Sequence, residues 1–97
     1  MKLYIDTTSR EKITVGIDNE MYETRTKEKS SQRLLPFIDE VVRKSGKDMK
    51  DITEIKIATG PGSFTGLRVG VSVGNTLGWV LKIPVNGKKW EDDINYF

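Results

Sequence analysis

The residues best suited to chemistry fall in two short stretches. "GPGSFTGLRVG", Gly60 to Gly70, sets glycines and hydroxyls between a short apolar run and a long, weakly charged one. A strand, a glycine turn and a helix N-terminus together present free backbone N–H groups and a positive dipole end, the physical basis of a phosphate cradle. "IDTTS", Ile5 to Ser9, places a carboxylate at the end of an alternating run, where it suits magnesium or a metal-bound water. The candidate phosphate-loop residues are therefore Asp6, Thr7, Thr8, Ser9, Gly62, Ser63 and Thr65.

Each stretch also has a plainer reading. After Gly60 and Gly62 the next glycine is Gly66, one residue late for the dinucleotide fingerprint, and no Gly-Lys-Ser/Thr follows. Spacing favours a turn in which Gly62 supplies an unusual backbone angle and Ser63 or Thr65 caps the next helix. A lone Asp6 followed by hydroxyls equally describes an Asx or Ser/Thr turn closing a hairpin. A phosphotransfer or nuclease centre gathers several carboxylates, and the other acidic residues here belong to turns and solvated helix faces.

The elements that must position these residues come from a chain of 97 residues with 16 basic and 14 acidic side chains. That length suits one domain with a thin core, and the balance of charge is far from the basic stripe of a nucleic-acid binder. With no cysteine or histidine, disulfides, thiol chemistry and the commonest transition-metal ligands are excluded. "MKLYIDTTS" has neither a long apolar segment nor a small-residue cleavage site, so a cytoplasmic protein is expected. The apolar run Phe64 to Val85 is interrupted by Arg68, Asn75 and Lys82 and ended by Pro84, which argues for a buried soluble helix rather than a membrane span.

Alternation of Leu3 and Ile5, then of Ile13, Val15 and Ile17, predicts a hairpin, and Met21 to Lys29 a third, more solvated strand. Leu34, Leu35, Ile38, Val41 and Val42 recur at helical spacing after Ser30 or Ser31, and Gly46 ends that helix. Pro36 predicts an irregular first turn. "DITEIKIATG" follows as a strand, then a helix from Phe64 to Lys82 and a short strand at Ile83 to Val85. The expected fold is α/β, β-β-β-α-β-α-β around a mixed five-stranded sheet, occupying residues 1–85 with a tail at 86–97.

The second helix carries a further signal. Gly66, Gly70, Gly74 and Gly78 form one ridge, although each interior glycine costs about 0.8–1 kcal/mol relative to alanine. Something must approach that face closely. The domain's own sheet and first helix are one source of cover, and a second chain is the other. Because the helix is apolar nearly all round and the core is thin, a second chain is the favoured expectation.

"LYIDTTS", "SQRLLPFIDEVV" and "DITEIKIATGPGSFTGLRVGVSVGNTLGWVLKIPV", in that order, resemble the N-terminal lobe of the TsaB (YeaZ) family, over about Lys2 to Val85. The resemblance implies an actin-like/ribonuclease H-like lobe and a part in making the threonylcarbamoyladenosine (t6A) modification of tRNA. It implies a non-catalytic scaffold with no cofactor or metal of its own, partnered by a TsaD-like catalytic subunit and a TsaE-like ATPase. It further implies a homodimer when alone, with tRNA met only through the complex. The residues it carries over as partner-facing are Leu34, Ile38, Val41, Gly70, Val73 and Gly74. Two departures stand out: the family's second lobe has no counterpart before Phe97, and Ser30, Ser31 and Gln32 stand where relatives often have a His-Ser-Glu-like sequence. The rival readings are a minimal magnesium-dependent phosphate-handling enzyme using Asp6 and the Gly62 to Thr65 turn, and a self-associating module with no modification role.

Overall fold

The computed structural model describes residues 1–9, 11–25, 30–58 and 64–87, with the side chains of 30–32 and 64–67 excepted. Three strands, β1 (Lys2–Asp6), β2 (Lys12–Ile17) and β3 (Glu20–Arg25), form an antiparallel meander. A helix α1 (Ser30–Lys44), a single 3-10 turn at Met49–Asp51, a strand β4 (Glu54–Ile57) and a helix α2 (Phe64–Leu81) follow. The sheet order is β3-β2-β1-β4, with β4 parallel to β1 and Ile57 opposite Ile5.

Period-two alternation decides which side of the sheet is covered. Leu3, Ile5, Ile13, Val15, Ile17, Ile55 and Ile57 are buried beneath the helices, while Lys2, Lys12 and Lys56 on the opposite side are exposed. There Lys2 pairs with Glu54 at 3.4 Å and Lys12 with Glu23 at 2.6 Å, each joining neighbouring strands. From α1, Leu34, Ile38, Val41 and Val42 complete the core.

Two sequence expectations are corrected. The sheet has four strands among the described residues, and the expected fifth is reduced to a single parallel bridge between Val85 and Ile55. Pro84 has no N–H to extend the ladder, and Asn86 turns away with φ 50°. The Asn86 side chain replaces the missing strand, accepting from the Ile57 N–H at 2.7 Å and donating to the Ile57 carbonyl at 3.3 Å. The other correction concerns α1, which begins at Ser30 and runs through Pro36 as one helix. Pro36 is on the exposed side, where water can replace the one hydrogen bond it removes.

The helix ends differ. Gly46, at φ 72°, closes α1, with the Lys47 N–H reaching back to the Val42 carbonyl. The same geometry closes α2, where the Ile83 N–H bonds to the Gly78 carbonyl, but there Lys82 holds the left-handed position at φ 58°.

Candidate functional site

One oxygen of the Asp6 carboxylate is taken up by its own turn. Its Oδ1 accepts from the Thr8 backbone N–H at 2.9 Å and from the Thr8 hydroxyl at 2.6 Å, and the Tyr4 hydroxyl lies 3.5 Å from Oδ2. Burial, then the charge of Asp6, raises the Tyr4 pKa above the usual phenol value. Ser9 Oγ accepts from the Glu11 N–H at 3.1 Å. These are the bonds of an Asx turn followed by a Ser turn, the plainer of the two readings of "IDTTS". Among the described residues no three acidic, histidine or cysteine side chains gather where a cation could sit.

Thr7 goes the other way. It is 1% exposed, and its Oγ1 accepts from the Gly70 N–H at 3.2 Å, so this hydroxyl faces α2 instead of a ligand in solvent. Gly62 and Ser63 of the glycine loop lie outside the described residues, as does the Thr65 side chain.

The partner-facing residues need correction. Leu34 and Ile38 are 0% exposed and Val41 1%, so all three face the core of their own lobe. Gly70 and Gly74 face the sheet: a Cβ at Gly70 would lie 2.5 Å from Thr7 Oγ1, and one at Gly74 would overlap Ile57 Cδ1. A Cβ at Gly78 would collide with Val85 in the same way. The ridge does mark a close approach, but the approaching surface is the protein's own sheet. Val73 alone of the six is half-buried rather than enclosed.

Other side chains take the outward positions. Trp79 is 65% exposed, Val80 61% and Leu35 48%, with Val69, Val73, Leu77 and Leu81 half-buried. On the outer side of α1, Arg43 pairs with Asp39 at 3.1 Å and Lys44 with Glu40 at 3.6 Å, so these charges are already answered within the helix. Outward α2 thus ends in an exposed apolar pair, Trp79 and Val80, while Arg68, Ser72 and Thr76 are its other exposed positions among the described residues. Sequence reasoning missed Leu35, Trp79 and Val80 because all are apolar at helical spacing. The available signal was that Trp79 and Val80 lie off the glycine ridge.

The comparisons with known proteins bear on family and fold. Residues 22–87 match the family described as TsaD, tRNA N6-adenosine threonylcarbamoyltransferase. The Bacillus subtilis tRNA threonylcarbamoyladenosine biosynthesis protein TsaB is 37% identical over 65 residues, which are 67% of this chain and 28% of that protein. A tRNA N6-adenosine threonylcarbamoyltransferase of Nitrosospira multiformis is 41% identical over 56 residues, 58% of this chain and 16% of that one. The structure of YeaZ from Pseudomonas aeruginosa superposes with a TM-score of 0.74 at 25% identity, over 87% of this chain and 41% of YeaZ. The chain therefore spans between a quarter and a third of the Bacillus relative's length. A match over residues 22–87 to the family described as TsaD, together with TsaB relatives and a shared fold with YeaZ, leads to one conclusion: the chain belongs to the TsaB (YeaZ) family.

Proposed function

We propose that this chain serves t6A biosynthesis as a non-catalytic docking lobe, presenting the outward sides of α1 and α2 to a TsaD-like catalytic subunit in an assembly that includes a TsaE-like ATPase. The observation that carries this reading is the exposure of Trp79, Val80 and Leu35 on two helices whose other sides are buried in the lobe's own core. The similarity of one chain to both TsaB and a threonylcarbamoyltransferase supports a partner lobe of related fold. On this reading the lobe is of the actin-like/ribonuclease H-like type and the Val85 bridge is its vestigial fifth strand. The same outward face makes a homodimer when the partner is absent, tRNA is met only through the complex, and the protein works in the cytoplasm.

What weighs against the minimal-enzyme alternative is the use of one Asp6 oxygen within its own turn. Co-purification tests the docking reading. A tagged full chain should retain the tRNA N6-adenosine threonylcarbamoyltransferase of the same genome through gel filtration, and should run as a dimer without it. A chain that stays monomeric and elutes apart from that subunit would refute it.

A further inference from the structure

We infer that Thr7 is the positioning residue of α2, and that a single buried hydroxyl at the end of β1 sets how the docking helix is presented. The inference rests on the docking reading above. Gly74 over Ile57 and Gly78 over Val85 bring α2 close to the sheet, but they do so against apolar side-chain atoms. Such contacts are non-directional, so they fix closeness better than rotation or height. The bond from the Gly70 N–H to Thr7 Oγ1, at 3.2 Å, is directional.

Both ends of that bond are constrained. Thr7 is 1% exposed and sits between the two residues of the Asp6–Thr8 turn, whose bonds of 2.9 and 2.6 Å hold its backbone. At the other end a Cβ on residue 70 would stand 2.5 Å from Oγ1, so the hydroxyl requires glycine there, and the missing side chain lets the hydroxyl share an N–H that also belongs to the helix ladder. Gly70 and Val80 belong to one helix, so a rotation permitted at Gly70 is carried along the rigid rod to Trp79 and Val80, about 15 Å away. The hydroxyl that the sequence offered to a phosphate is used instead to aim a helix.

The test uses the full chain carrying Thr7→Ser, Thr7→Val or Val80→Asp, with the purified threonylcarbamoyltransferase subunit of the same genome as probe. Binding is measured at a temperature where circular dichroism shows each variant folded, alongside hydrogen exchange at the Gly70 amide. Thr7→Ser keeps the acceptor and should bind like the parent. Thr7→Val keeps the volume without the acceptor, and should weaken binding about tenfold while speeding Gly70 exchange. If Thr7→Val binds like the parent and Val80→Asp does not, the positioning role is overturned and the docking reading stands. If Val80→Asp also binds normally, the docking reading fails and takes this inference with it. Should Thr7→Val not fold, Thr7→Ala replaces it. If neither folds, the hydroxyl serves stability and the positioning role is again overturned.

Discussion

The sheet-facing side of α2 is built from glycines, whereas its solvent-facing side carries Arg68, Ser72 and Thr76 before it ends in Trp79 and Val80. On the inner side, Gly70, Gly74 and Gly78 have given up side chains so that the helix can lie on Thr7, Ile57 and Val85. On the outer side, Trp79 and Val80 keep large side chains that the lobe leaves uncovered. Absence of side chain marks the finished interface, and on the docking reading the uncovered Trp79 and Val80 mark the open one. A substitution should therefore cost stability on one side and association on the other.

Gly74→Leu is the strongest way to break this comparison. Leucine favours a helix more than glycine does, by several tenths of a kcal/mol, but its Cβ alone would overlap Ile57 Cδ1. Overpacking outweighs propensity, and a loss of about 3 kcal/mol or more is expected, read as a collapsed thermal transition. A folded Gly74→Leu chain with impaired association would instead return the ridge to the surface.

Asn86→Ala tests the inner side one strand further out, beside the Val85 bridge. It removes both side-chain bonds to Ile57 and leaves that N–H without its partner, at a cost of about 1–2 kcal/mol in chemical denaturation. An unchanged midpoint would mean that the bridge holds the edge without help from the asparagine.

Lys82→Gly sharpens the comparison just beyond the last turn of α2, because it relieves a lysine held at φ 58°. A gain of about 0.5–1 kcal/mol in stability, with association unchanged, is expected. A loss would show that the lysine side chain matters more than its backbone strain.

Asp18 supplies the smallest effect, remote from both faces. The Lys2 backbone N–H, 3.0 Å from Asp18 Oδ1, holds its pKa below the ordinary carboxylate value, with Lys47 adding a weaker pull at 3.8 Å. A depressed folded pKa stabilises the protein above the unfolded value, and that stability is lost as pH falls through the folded one. Acid titration below the usual carboxylate range should therefore soften the parent more than Asp18→Asn. Equal acid sensitivity would remove Asp18 from the account.

The contrast between the two faces also shows what sequence could and could not reveal. Strand alternation in β1 and β2 and the Gly46 stop of α1 were legible because period and turn chemistry are local. The glycine ridge was legible as a demand for close approach, but smallness carries no record of what lies opposite. Leu34 and Leu35 make the same point: neighbouring residues of one type are 0% and 48% exposed. Asn86 reads as a turn residue, and only the folded chain brings its amide to Ile57. Thr7 looked like a ligand-binding hydroxyl because its neighbours did, while tertiary packing turned it inward.

The most direct test of the central claim is isothermal titration of the threonylcarbamoyltransferase subunit into the parent chain and into Val80→Asp. At a position 61% exposed the substitution should move stability by no more than about 0.5 kcal/mol, so the melting curves should nearly coincide. On the docking reading, a charge placed beside Trp79 should abolish measurable binding. Full-strength binding by a normally folded Val80→Asp chain would contradict the assignment of outward α2 as the docking face.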